Sequence, residues 1–553
     1  MNAALGQDTK TENQPPIIRI TGDIGLSMGT YSVTGIDQRR DPFTYLFTGN
    51  LNFRILNKVD VPLGVMLSQQ ETRFLQPNNI YGISPKYKNL TGHFGYRSMN
   101  FSRYTLNNHL FLGAGADYEV PTSTGPVISV SAMYGRLRRA VSGAEAIAND
   151  GQISYRRRGW GVRLGAAERN NRSNYLSFSL FRGFDDPTSI STPLLGEITP
   201  LDNLALSIGG QYRLFKKLIL NAEYGASALT PDRRAEGVRG DFDIPIIYRP
   251  FAGNFFSVRS GTDFNNALSG SATYSLGSAR VGIRYERIDP NYRTLGNYFF
   301  QNDRENATLH GAWTGPKRRV SFSGSIGRQR NNLDTDRDTR TRRTIGSLVY
   351  SHALTDRINW SLNFSNYAST IRTERELLTD SLNFYQINTN LGGSVNYLIV
   401  PGATGSSIYL NGSWQRGNSR DEYRLFEKET SFVNLAVGYR TTLGNGWRFR
   451  PGITYASFQT ALDRLHRWTP TLAFGRDFLE KKLQTNFSLS IAAQQRDLTP
   501  NDAIYIGRLG ANYRFRERMS LAGSFAWLRR TGSDPNTVDF SEIRTRVGYR
   551  YRF

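Results

Sequence analysis

The sequence predicts an all-β protein: a single large closed antiparallel barrel of about 24 to 26 strands that crosses a membrane. Three observations carry this. Apolar and polar residues alternate with period two down the chain, short and long connections succeed one another between the alternating runs, and no window reaches the roughly 18 consecutive apolar residues of a transmembrane helix. Composition agrees. The 553 residues include 53 Gly, 29 Tyr and 32 Phe, yet mean hydropathy is only -0.46. A barrel strand needs about 10 residues with every second one apolar, so average hydropathy stays low while backbone is buried in lipid.

The last strand shows the alternation best. Ile543, Thr545, Val547, Tyr549, Tyr551 and Phe553 alternate with Glu542, Arg544, Arg546, Gly548, Arg550 and Arg552. Side chains alternate faces along a strand, so one set can meet lipid while the other meets a wet lumen. Upstream, Leu483, Thr485, Phe487, Leu489 and Ile491 alternate with Gln484, Asn486, Ser488 and Ser490. Tyr505, Leu509, Tyr513 and Phe515 oppose Arg508, Asn512 and Arg514. Val433, Leu435, Val437 and Tyr439 oppose Asn434, Gly438 and Arg440, and Val281, Ile283 and Tyr285 oppose Arg280, Arg284 and Glu286. Helical spacing fits none of these windows.

Connections give an independent test, because membrane barrels have short turns at one end and longer loops at the other. Tight turns fall near Phe215 to Lys217, Gly277-Ser278, Gly315 to Arg318, Thr355-Asp356, Val400 to Gly405, Gly444 to Gly446, Glu480-Lys481 and Glu517. Longer polar segments lie between them: Thr230 to Thr262, Asp289 to Asp303, Gln329 to Arg340, Arg372 to Phe384, Asn418 to Lys428, Asp497 to Asp502 and Thr531 to Val538. Counting backward gives roughly seventeen strands after Leu204 and about eight before it. An odd total conflicts with both ends lying on one side, so one element is misread, and Phe74 to His109 is where alternation is poorest. Two readings of residues 75–109 stand open: a segment inserted into the lumen as a partial plug, or a long loop between two ordinary strands. At the N-terminus, Ala4-Leu5-Gly6 before Gln7 has the small-x-small pattern of a signal cleavage site, so residues 1–16 read as a signal remnant or a disordered lead-in. The barrel, residues 17–553, starts near Ile17.

A barrel of this size encloses an aqueous lumen unless loops, a plug, a lipoprotein or another partner fill it. Arg508, Arg514, Arg544, Arg546 and Arg550 are the candidate lumen-facing basic residues. They would favour anions there, unless carboxylates such as Glu286 and Glu542 neutralise them locally. The net charge of +23 is spread along the whole chain, which argues against a nucleic-acid partner.

No catalytic, cofactor or metal site is expected. There is no cysteine. His93, His109, His310, His352 and His466 stand far apart, with none in a metal-ligand spacing. Asp334, Asp336 and Asp338 begin like a calcium loop, but Thr339 replaces the required glycine and Ile345 occupies the twelfth position, which leaves a solvated loop. Gly113-Ala114-Gly115 continues without a phosphate-cradling helix and reads as a slim strand.

Tyr549, Tyr551 and Phe553 resemble the C-terminal recognition signal of bacterial outer-membrane barrels. That resemblance implies insertion by the barrel-assembly machinery of a Gram-negative cell, periplasmic termini, and a surround of outer-membrane lipid and lipopolysaccharide. The segment Tyr285 to Asn306, with Arg287-Ile288-Asp289-Pro290-Asn291-Tyr292, Leu295-Gly296-Asn297-Tyr298-Phe299-Phe300 and Asn302-Asp303, resembles large uncharacterised outer-membrane barrels of the Bacteroidota. Gly95 to Leu106, with Tyr96-Arg97-Ser98-Met99-Asn100-Phe101, agrees. No binding residue is implied. Alternation beginning near Ile17 leaves no space for the plug domain of TonB-dependent transporters or for the periplasmic repeats of assembly and secretion barrels. Two functional readings remain: a passive or gated conduit for solute, lipid or polypeptide, and a structural subunit that docks partners in an export or assembly complex.

Overall fold

The computed structural model describes residues 17–69, 79–148, 152–191, 198–238, 244–253, 255–335, 339–373, 384–402, 404–421, 427–461, 463–496, 499–532 and 538–553. The expected signal remnant, residues 70–78, and Asp336 and Asp338 of the calcium-like loop lie outside them.

The wall opens with β1 (Ile18–Thr34), β2 (Phe43–Ile55) and β3 (Val59–Ser68). Next come two short pieces, β4 (Ile80–Ile83) and β5 (Lys86–Tyr87). After them run β6 (Leu90–Asn100), β7 (Asn107–Glu119), β8 (Val127–Arg138), β9 (Arg157–Ala167) and β10 (Tyr175–Asp185). A short helix, α1 (Gly143–Ala148), interrupts the loop before β9. The wall continues with β11 (Asp202–Leu214), β12 (Leu218–Thr230), β13 (Asp263–Leu276), β14 (Ala279–Ile288) and β15 (Arg304–Thr314). Then follow β16 (Val320–Arg330), β17 (Thr339–Ala353), β18 (Ile358–Thr373), β19 (Phe384–Val400), β20 (Ser406–Asp421) and β21 (Glu427–Thr442). The last six are β22 (Arg448–Gln459), β23 (Arg464–Phe478), β24 (Leu483–Arg496), β25 (Thr499–Arg516), β26 (Met519–Gly532) and β27 (Phe540–Arg552).

Strands pair antiparallel with their chain neighbours, except that β4 and β5 both pair with β3 and β6, and β27 pairs with β1 from Asp23↔Arg552 to Thr34↔Ser541. The sheet therefore has no free edge, as hydrocarbon requires. β4 and β5 count as one stave, because Gly64↔Gly82 and Asp60↔Lys86 lie on one uninterrupted register with β3. Only Ser84 and Pro85 separate the two pieces. The barrel has 26 strands: seventeen from β11 onward and nine before it, one more than the period-two count finds. The missed stave is this broken one. Residues 90–100 belong to the wall, and 101–106 form the connection to β7.

Register carries side-chain direction around the cylinder, since directly paired residues share a face. Starting from Arg544, the inward set runs through Ala526, Arg508 and Ser488, and it returns through β1 as Tyr31 without a phase break. The opposite face carries the apolar residues. On adjacent strands, Ile283, Leu309 and Ile326 form one row, and each is more than half exposed. At about 4.8 Å between strands and a tilt near 40°, 26 strands close into a cylinder roughly 50 Å across. Such a cylinder is hollow: the accessible surface is 34523 Å², against roughly 20,000 Å² for a compact protein of this mass.

The closure register is directly testable because the chain has no native cysteine. In the double variant Ser27→Cys/Gly548→Cys, whose positions face each other across the β1–β27 seam, a disulfide should form spontaneously, since directly opposed strand residues lie about 4.5–5.5 Å apart. The register-shifted pair Ser27→Cys/Arg546→Cys should not crosslink. Gel mobility with and without reductant reads the result.

Candidate functional site

The interior is unlike on its two sides. From β6 to β15, two connections turn inward and build a hydrophobic core against the inner wall. Residues 101–106 contribute Phe101, Tyr104 and Leu106, and residues 289–303 contribute Tyr292, Leu295 and Phe300. The wall answers with Phe111, Met133, Leu137 and Phe181 on one side, and with Ala267 and Ile288 on the other. Tyr104, Leu106, Phe111 and Phe181 are fully buried. The Tyr104 and Tyr292 rings meet edge-on with centroids 5.9 Å apart, and Phe300 lies 5.2 Å from Tyr292. Burying each such ring contributes about 1.5–3 kcal/mol. Close approach depends on a wall glycine: a Cβ on Gly225 would stand 2.5 Å from Tyr104 Cβ.

Polar contacts then hold the inner loop in place. Fully buried Asn203 donates from Nδ2 to Ser227 Oγ (2.8 Å), Ala228 O (3.0 Å) and Arg293 O (3.1 Å), and its Oδ1 accepts from Leu295 N (3.0 Å). Tyr292 Oη donates to Tyr104 O (2.7 Å), Thr294 Oγ1 to Thr105 O (2.6 Å), and Asn107 N to Gly296 O (3.0 Å). The two segments singled out by resemblance, Gly95 to Leu106 and Tyr285 to Asn306, thus meet each other inside the barrel.

The loop between β12 and β13 folds the other way. Tyr248, Phe251, Phe256 and Val258 pack on Leu204, Leu206, Ala226 and Ala228, which register places on the outer face. The rim of β10–β13 is therefore packed on both faces. Ion pairs tie it together: Arg157 grips Asp185 at 2.8 and 2.9 Å, and Arg182 grips Asp202 at 3.1 and 2.8 Å. Beyond the strands, Arg156 and then the Thr188 hydroxyl hold the Asp186 carboxyl down at about 2. A depressed carboxylate contributes stability above its ordinary pKa near 3.9 and loses it only as pH falls toward the depressed value. This latch therefore persists in mild acid.

From β16 to β27 the inner face differs. The inward rows of β18, β19 and β20 read Asn359, Ser361, Asn363 and Ser365, then Asn388, Asn390, Ser394 and Asn396, then Asn411, Ser413 and Gln415. Among the described residues no hydrophobic cluster forms there. The predicted arginines follow, on β25 and β27. Arg508 and Arg544 share one lateral row through Ala526, while Arg514 and Arg550 share another through Ser520. Neutralisation is partial. Arg544 pairs with Glu542 at 2.6 Å and Arg550 with Asp23 at 3.6 Å. Among the described residues, Arg508, Arg514 and Arg546 have no carboxylate within 4.0 Å. Glu286 serves other arginines, Arg103 and Arg304. The aromatic end contributes to the seam, where Tyr551 and Phe553 rings meet edge-on at 4.8 Å and Phe553 N donates to Gly22 O at 2.9 Å.

Period-two reading missed one polar chain. Ser84 Oγ lies 2.9 Å from His93 Nδ1, and His93 Nε2 lies 2.9 Å from Asp117 Oδ2. Spacings of nine and 24 residues carry no motif, so only pairing of the β4–β5 stave with β6, and of β6 with β7, assembles it. Ser84 donates its own N–H to Pro62 O, and Pro85 has none. Neither adjacent amide is therefore available to stabilise an oxyanion. The chain instead stitches the broken stave to its neighbours.

No family profile matches this chain, and no curated protein matches it. Solved structures do. The anion-selective porin from Comamonas acidovorans is 12% identical, with 64% of this chain and 100% of the porin covered at a TM-score of 0.29. The copper transporter OprC is 10% identical over 97% of this chain and 80% of its own, with a TM-score of 0.39. The ferric enterobactin receptor from Pseudomonas aeruginosa is 12% identical over 96% and 80%, with a TM-score of 0.40.

Asn203→Leu should release the inner loop while leaving the wall closed. It strands the buried Leu295 N–H at about 1–3 kcal/mol and leaves Arg293 O with the Ser227 hydroxyl alone. Limited trypsin digestion should then cut at Arg293, which resists in the parent. Heat-modifiable migration on gels should remain.

Proposed function

We propose that the chain is an outer-membrane conduit for solute, lipid or polypeptide, with the passage running along the β16–β27 side. One observation carries this: among the described residues the internal core lies between Met99 and Phe300, while a cylinder roughly 50 Å across is too wide for two short loops to fill. A wet wall of Asn, Ser and Arg faces the remaining space. The apolar outer face and the edge-free sheet support a membrane position. The aromatic C-terminal strand, lying at the tight-turn end with the start of β1, supports a bacterial outer membrane with periplasmic termini. Resemblance in Tyr285 to Asn306 points to the Bacteroidota. No reaction is part of this reading.

The unpaired inward guanidiniums set the expected ion preference. In a planar bilayer, the purified barrel should give large steps with a reversal potential favouring anions. Arg508→Glu/Arg514→Glu/Arg546→Glu replaces three positive lumen charges by three negative ones and should move that potential toward cation preference, most strongly at low salt. A barrel that seals the bilayer and copurifies with fixed partners, such as a lipoprotein, would instead mark a docking subunit.

A further inference from the structure

Beneath the 101–106 loop lies a second feature of the inner wall, a cavity of about 430 Å³. Ser102 and Arg103 roof it, and its floor spans β9 to β14. Register assigns its floor residues Arg163, Ser177, Asn221, Glu223, Ser271 and Arg284 to the inward face. The hollow exists because Gly209 carries no side chain: a Cβ there would stand 2.9 Å from Glu223 Cγ.

Charge in the cavity is unbalanced. Glu286 is engaged by Arg103 and by Arg304, the latter at 2.6 Å. Glu223 accepts from Ser102. Among the described residues Arg163 and Arg284 have no carboxylate within 4.0 Å, and Arg163 Nε is buried without a hydrogen-bond partner. Two guanidiniums thus face one carboxylate in a recess walled by Ser177, Ser271, Asn221 and Tyr175. Guanidinium favours planar bidentate recognition of carboxylate or phosphate. Hydroxyl and amide groups around it favour a ligand that itself carries hydroxyls.

We propose that this recess is a binding subsite for a small hydroxylated organic anion of the sugar-acid class, held by Arg163 and Arg284, with Glu223 tuning affinity downward. Calling that ligand cargo rests on the conduit reading; its binding does not. Calorimetry on the detergent-folded full chain tests it, with sodium glucuronate as probe and glucose and acetate as controls, at low salt. Glucuronate should bind more tightly than either control. Arg163→Gln/Arg284→Gln should weaken it about tenfold or more, as loss of two charge-assisted contacts implies. Glu223→Gln should tighten it several-fold by removing the opposing charge. Gly209→Leu should abolish binding by filling the recess with both arginines intact. Equal affinity for glucose, an unchanged double-arginine variant, weaker binding in Glu223→Gln, or no glucuronate heat in the folded parent would each overturn the assignment. Heat-modifiable migration certifies the fold of every variant. Because the readout is binding and not current, a sealed barrel leaves this test intact and fails only the conduit.

Discussion

Backbone polar groups inside hydrocarbon must find partners within the protein, and the rest of this molecule depends on that requirement. Pairing β27 with β1 meets it. Closure in turn fixes an even number of staves, which is why the interrupted piece around Ser84 and Pro85 must keep the register of its neighbours. It does so, and the Ser84–His93–Asp117 chain spans the interruption. Closure at 26 strands also sets the diameter, and with it the hollow that the large accessible surface records.

A hollow cylinder leaves the inner face free to vary by sector, and this chain uses that freedom unevenly. One side receives folded-in loops on a wall thinned by Gly225 and anchored by Asn203. The other keeps a polar lining of Asn and Ser that passes into arginine rows. The packed side behaves as a soluble protein core enclosed by a membrane sheet. Its aromatic packing, buried amide and rim ion pairs all resist displacement, so the inner loops are held fixed against that wall. The recess under residues 101–106 lies within the packed side, against β9 to β14, where the folded-in loop roofs inward polar groups and unpaired guanidiniums.

Much of the wall is legible from residues alone. Boundaries of the long loops at Thr230 to Thr262 and Asp289 to Asp303 match the ends of β12 to β15 within a residue, because lipid on one face and water on the other impose strict alternation. Legibility fails at Ile80–Tyr87. Pro85 has no N–H to donate, and an eight-residue stave split in two is too short for alternation to register. The inner core is less legible still. Asn203 and Arg293 are ninety residues apart, and no local pattern links them. Leu204 and Leu206 lie on the outer face of the wall, yet a loop from the same chain covers them.

Alternation and connection lengths by themselves determined a closed membrane barrel of the right size, since each strand reports its own two environments. Which arginines are paired and which loops turn inward or outward were decided only by tertiary structure. Those outcomes depend on contacts between strands remote in sequence, and curvature into a cylinder is what brings them together.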